Sequence, residues 1–214
     1  MTDESVLDEK PLDPQAMLDI IEQETSRLAA LARRAVPWFY FSWGGAWMVG
    51  YLLLWAAYPG SGSPIVVPEW IAWPGFAATI VTAIAISAIV GVRMGRGIRG
   101  RSSFVGILYG FSWSILSVSF AALGVALMRA GMSPDLAALY YPSVYAFVIT
   151  ALYLAGAMLW RSIDQLVIAL VLAFSGAIAP FFGAPLNCLV MALVAGGALL
   201  VGGIVTVISL RSRR

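Results

Sequence analysis

The chain has 214 residues, 61% hydrophobic and 11% charged, with a formal net charge of +2. A soluble domain carries about 25% charged residues, so this chain cannot cover a water-facing surface, and its mean hydropathy of +0.89 places it among membrane proteins. Histidine is absent and Cys188 is the only cysteine, which excludes imidazole-based metal or acid–base sites and any intrachain disulfide.

The charges are segregated. Eight of the eleven acids (Asp3, Glu4, Asp8, Glu9, Asp13, Asp19, Glu22 and Glu24) precede residue 25, while twelve of the thirteen bases are arginines between positions 27 and 214. Residues 1–12 are acidic and without periodicity, as in a disordered tail. The first 16 residues lack the basic-then-apolar pattern of a cleavable leader, so none is expected.

From 13 to 35 the spacing predicts an amphipathic helix. Asp13 is a good N-cap and Pro14 suits the first turn. Acids lie early and bases late, which complements the helix dipole. Met17, Ile20, Ile21, Leu28 and Leu31 form one apolar stripe, interrupted at Glu24. Such a stripe is buried against a membrane surface, a second copy or another protein. Its acidic first half is repelled by anionic lipid, which favours protein contact; the equally weighted alternative is a helical stalk that merely continues the first span, interrupted at Pro37. Pro37 is expected to end this helix and begin the first span.

Six uncharged runs then follow, each near the roughly 20 residues that cross a bilayer as helix: about 37–58, 74–92, 104–128, 139–160, 164–182 and 186–210. The expected fold is all-α: a six-helix polytopic membrane domain over 37–210 and a basic tail at 211–214. Counted along the chain from the amino-terminal segment through each loop to the tail, the bases number four, zero, four, one, one, zero and three. That alternation predicts both termini on the cytoplasmic side of the cell inner membrane. The 93–103 loop holds Arg93, Arg96, Arg99 and Arg101; it serves as topology control and as a second candidate contact surface.

In the first span Trp38, Phe39, Tyr40, Phe41 and Trp43 fall near one interface and Tyr51, Trp55 and Tyr58 near the other, which predicts an anchoring aromatic belt. Trp47 falls between them, to fill a gap against a neighbour. The third span carries the clearest packing motif. Gly106, Gly110 and Ser114 make a small-residue row at spacing four, which predicts a central helix. Ser112, Ser117 and Ser119 add hydroxyls; packing is the preferred role for this set, and lining of a cavity for an uncharged solute is the alternative. Ala46 with Gly50, and Ala192 with Gly196, are weaker pairs of the same kind.

The remaining features have simple structural readings. Arg161 and Asp164 suit a local ion pair, Cys188 a packing residue, and Pro180, Gly183 and Pro185 a tight hairpin. Pro142 falls in the first turn of its span. No acid lies inside a span, and HExxH, GxSxG, P-loop and CxxC motifs are absent. No cofactor, metal or nucleic-acid partner is implied. The expected role is non-enzymatic: a membrane subunit or regulator, bathed in lipid, that binds itself or another protein through the 13–35 helix. A small permease or channel for an uncharged or lipophilic solute is the alternative.

Overall fold

A computed structural model describes residues 14–95 and 101–212. The regular structure of the described chain is all helical: α1 (Pro14–Ala57), α2 (Glu69–Gly95), α3 (Arg101–Arg129), α4 (Pro134–Trp160), α5 (Ile163–Ile178) with a 3-10 turn at Ala179–Phe182, α6 (Leu186–Val190), a π-helical stretch at Met191–Gly196, and α7 (Gly197–Ser212). The last three pieces run on without a break as the final span. Five stretches are long and apolar enough to cross a membrane: Glu69–Met94, Phe104–Arg129, Pro134–Trp160, Ile163–Phe182 and Leu186–Arg211. The part of α1 after Pro37 is rich in tryptophan, tyrosine and glycine, which carry little hydropathy, and it is not among them.

Contrary to expectation, Pro37 does not break the chain. α1 is one helix of 44 residues, about 66 Å at 1.5 Å per residue. An internal proline removes one backbone hydrogen bond. Here it is buried with Tyr40 against the bundle, so packing offsets that loss. α4 likewise starts earlier than the apolar run. Ser133 caps it, its hydroxyl accepting from the Leu136 N–H, and Pro134 takes the first turn. Pro142 is therefore an interior residue, buried two turns in.

α1 is the centre of the assembly. It packs against α2 on one side and against the π stretch and α7 on the other, while α4 and α5 complete the ring and α3 leans on α4. The core joins Tyr40, Trp47 and Tyr51 of α1 to Ile149 and Tyr153 of α4, Leu172 of α5, and Met191 and Leu199 of the final span. Trp47 thus fills a gap, as its position predicts. Tyr40 and Tyr51 do not join a belt; they are 3% and 4% exposed. Spacings of seven and four put 40, 47 and 51 on one helix face. Trp38, by contrast, is exposed.

The small residues that pack include Gly50 and Gly196 of the weaker sequence pairs, together with Gly44, which neither pair contains. A Cβ on Gly44 would stand 2.9 Å from the Leu200 backbone nitrogen, and one on Gly196 would stand 2.9 Å from that of Met48. The two helices therefore touch backbone to backbone. Gly50 makes room for the Phe76 ring of α2, and the Thr79 hydroxyl donates to the Ala46 carbonyl. Gly106 and Gly110 meet nothing within 4 Å, and both are exposed with Ser114. The third span is peripheral rather than central: 6% of its apolar window is buried, against 44% for α4.

These contacts separate the two glycine sets. Gly196→Val forces the seam between α1 and the final span apart, and overpacking of this kind costs about 1–3 kcal/mol. The unfolding midpoint in detergent should fall by roughly 3–10 °C. Gly106→Ala should leave it unchanged or slightly raised, because alanine is the better helix former.

Candidate functional site

Four described arginines gather at one end of the bundle, and Arg129, in the last turn of α3, lies at the other. Arg93 closes α2, Arg101 opens α3, Arg161 follows α4 and Arg211 lies in the last turn of α7. At the opposite end Tyr58 donates a hydrogen bond to the Asp135 carboxylate, tying the end of α1 to the start of α4.

The sequence-predicted site residues do not converge. Met17 is 46% exposed on the helical arm of α1. Ile20, Ile21, Leu28 and Leu31 lie on the same helix, and their side chains fall outside the described residues, as does that of Arg101. Arg96 and Arg99 lie outside the described residues altogether, while Arg93 is exposed. Gly106, Gly110 and Ser114 face away from the bundle, so this row supplies neither intramolecular packing nor the wall of an internal cavity. Ser117 differs from them: its carbonyl accepts the Tyr145 hydroxyl at 3.2 Å. Ser112 satisfies itself on the Leu108 carbonyl.

What the fold does bring together is a set of polar ties inside an apolar bundle. Three tyrosine hydroxyls cross the α3–α4 contact to backbone carbonyls: Tyr109 to Leu152 at 3.0 Å, Tyr145 to Ser117 at 3.2 Å and Tyr140 to Phe120 at 3.4 Å. Thr150 of α4 donates to the Ala169 carbonyl of α5, and the Trp43 indole donates to the Ser87 hydroxyl of α2. Each bond satisfies a side-chain donor that hydrocarbon would otherwise leave unpaired.

Two side-chain amides stand out. Outside the amino-terminal arm the chain has only Gln165 and Asn187, and the structure buries polar atoms of both. Asn187 is 1% exposed; its Nδ2 donates to the Ala138 carbonyl at 2.7 Å, and its Oδ1 has no partner. Gln165 Oε1 is also buried without a partner. It lies over Gly156, where a Cβ would collide with it and would stand 2.9 Å from the Tyr109 hydroxyl. Only glycine leaves room there for both polar groups to reach α4. Around this point the rings of Tyr109, Trp113, Trp160, Tyr153 and Tyr40 are linked in series, with centroids 4.7–6.2 Å apart. The three pairs that include Tyr109 or Trp113 meet edge to face, the favoured aromatic geometry. The scarcity of amides was a readable signal; which of their atoms lack partners was not.

Among the described residues no group of three or more His, Cys, Asp or Glu is placed to hold a metal. Cys188 is a buried free thiol in the apolar setting of a packing residue. No family model, curated protein or solved structure matches this chain.

An orphaned buried acceptor costs about 1–3 kcal/mol. Gln165→Leu removes that cost at similar volume and should hold or raise the unfolding midpoint. Tyr109→Phe, which removes a hydrogen bond to the Leu152 carbonyl, should lower it by a few degrees. A midpoint more than about 5 °C lower for Gln165→Leu would show that the amide has a partner.

Proposed function

We propose that this protein is a non-enzymatic integral membrane subunit or regulator that binds a protein partner, or a second copy of itself, through the arm that opens α1. The carrying observation is the continuity of α1. A single helix includes the arm, with Met17 and Leu18 46% and 57% exposed, and the core residues Tyr40, Trp47 and Tyr51. A partner held on the arm is thereby coupled to the centre of the bundle without a flexible joint. The apolar stripe supplies the contact surface, and its acidic first half disfavours an anionic lipid surface.

In this reading α1 from Pro37 onward is a sixth crossing, enclosed by its neighbours rather than facing lipid on all sides. The arginine-rich end then faces the cytoplasm, with both termini, at the inner membrane. The 93–101 loop, which begins at the exposed Arg93, is the second candidate contact surface.

A second reading, a small permease for an uncharged or lipophilic solute, draws on the final span. Its π stretch at Met191–Gly196 begins four residues after the buried, half-satisfied Asn187, and π segments are frequent at functional sites.

A photo-crosslinking residue at position 17 or 18 of the full chain, expressed in native membranes, should give a discrete crosslinked species. The same probe at Phe104, exposed on α3, should not give that species. Deleting residues 14–33 should abolish the complex in native gels. An unchanged complex after that deletion would refute the reading, and solute flux in liposomes lost on Asn187→Leu would favour the permease.

A further inference from the structure

Where α4 turns into α5, at the arginine-rich end, the side of the bundle carries a groove of about 460 Å³. Leu154 and Met158 of α4 and Ile163 and Leu166 of α5 line it, and Arg161 and Ser162 close it. Three observations bear on what it holds. First, the lining is apolar except at the end where the helices stop. Second, Arg161 is exposed and makes no ion pair among the described residues; the local pair with Asp164 does not form. Third, Arg161 ends α4 with φ 51° and ψ 44°, donating its own N–H to the Ala157 carbonyl. This left-handed position is ordinarily glycine's, and an arginine there carries backbone strain of the kind that concentrates at functional sites. The turn places Arg161 in the lining of the groove instead. Ser162 caps the next helix by accepting from the Gln165 N–H, so the positive end of the α5 dipole lies beside the same cation.

We propose that this groove binds one phospholipid of the adjoining leaflet, an acyl chain lying along Leu154, Met158 and Leu166 and the phosphodiester on Arg161. A lipid tail needs the apolar walls, and a headgroup phosphate needs a cation at the depth where the helices end. Asp164, exposed three residues on, opposes further negative charge. The favoured headgroup is therefore a single phosphodiester rather than a multiply phosphorylated one. This assignment rests on α4 and α5 crossing a bilayer and is independent of what the arm binds.

The test uses the full chain, delipidated in mild detergent and offered phosphatidylglycerol, phosphatidylethanolamine or uncharged diacylglycerol, with bound lipid counted by native mass spectrometry. One phospholipid should be retained about tenfold more strongly than diacylglycerol. Arg161→Gly suits the backbone while removing the cation; it should keep the fold and lose most of that preference. Arg161→Lys should keep part of it. Ala157→Phe should block binding of all three lipids at this site. Arg211→Gln, at another exposed arginine of the same end, should change nothing. Equal retention of diacylglycerol, full retention by Arg161→Gly, or equal loss with Arg211→Gln would each overturn the proposal. A chain that fails to fractionate with membranes would instead overturn the membrane assignment on which it rests.

Discussion

The fold depends on the backbone contact between α1 and the final span. Gly44 lies against the Leu200 backbone, Gly196 lies against that of Met48, and Gly203 receives the Phe41 ring. In a bilayer, burial of apolar surface gives little drive for helices to associate, since lipid tails are as apolar as leucine. Close approach, with its dense dispersion contacts, supplies the attraction instead. The seam also fixes α1 at the centre. Tyr40, Trp47 and Tyr51 then become core, and α2 and α3 can only be added outside it.

Polar groups refine this packing. Most crossing hydrogen bonds run from a tyrosine, threonine or amide donor to a backbone carbonyl that already serves its own helix. Such bonds cost no helical turn and fix the register of two otherwise smooth apolar surfaces. They concentrate on the contacts of α4 with α3 and α5, which also hold close glycine approaches: Gly176 of α5 against Ala146 and the Ser143 carbonyl, and Gly124 of α3 against the Tyr141 ring. The few orphaned atoms, on Trp55, Ser143, Gln165 and Asn187, are the places where this accounting does not close.

Among the described residues the charged side chains lie at helix ends and on the arm. What the molecule presents outward is a long helix with exposed Met17 and Leu18, a row of small residues on α3, and an apolar groove ended by Arg161. The arm and the groove are the surfaces proposed above to take a protein partner and a lipid. The strained backbone at Arg161 is the most local of these features, and the continuous α1 the most global.

Much of the architecture was legible in the sequence, because apolar length and the absence of internal charge are properties of single segments. The helical class, five of the spans, the hairpin at Pro180–Pro185 and the packing role of Cys188 follow from residues near one another in the chain. Helix starts were less legible: hydropathy marks where a run becomes apolar, whereas Ser133-Pro134 starts α4 by satisfying its first N–H groups, before the apolar run begins. The tertiary structure alone decided which small residues pack. Gly106, Gly110 and Ser114 spell the better motif, and Gly44 and Gly196 form the contact. A motif states only that a helix can be approached closely; whether a neighbour arrives depends on every other helix in the bundle. For the same reason the ring-rich face of α1 reads as an interfacial belt in one dimension and is the core in three.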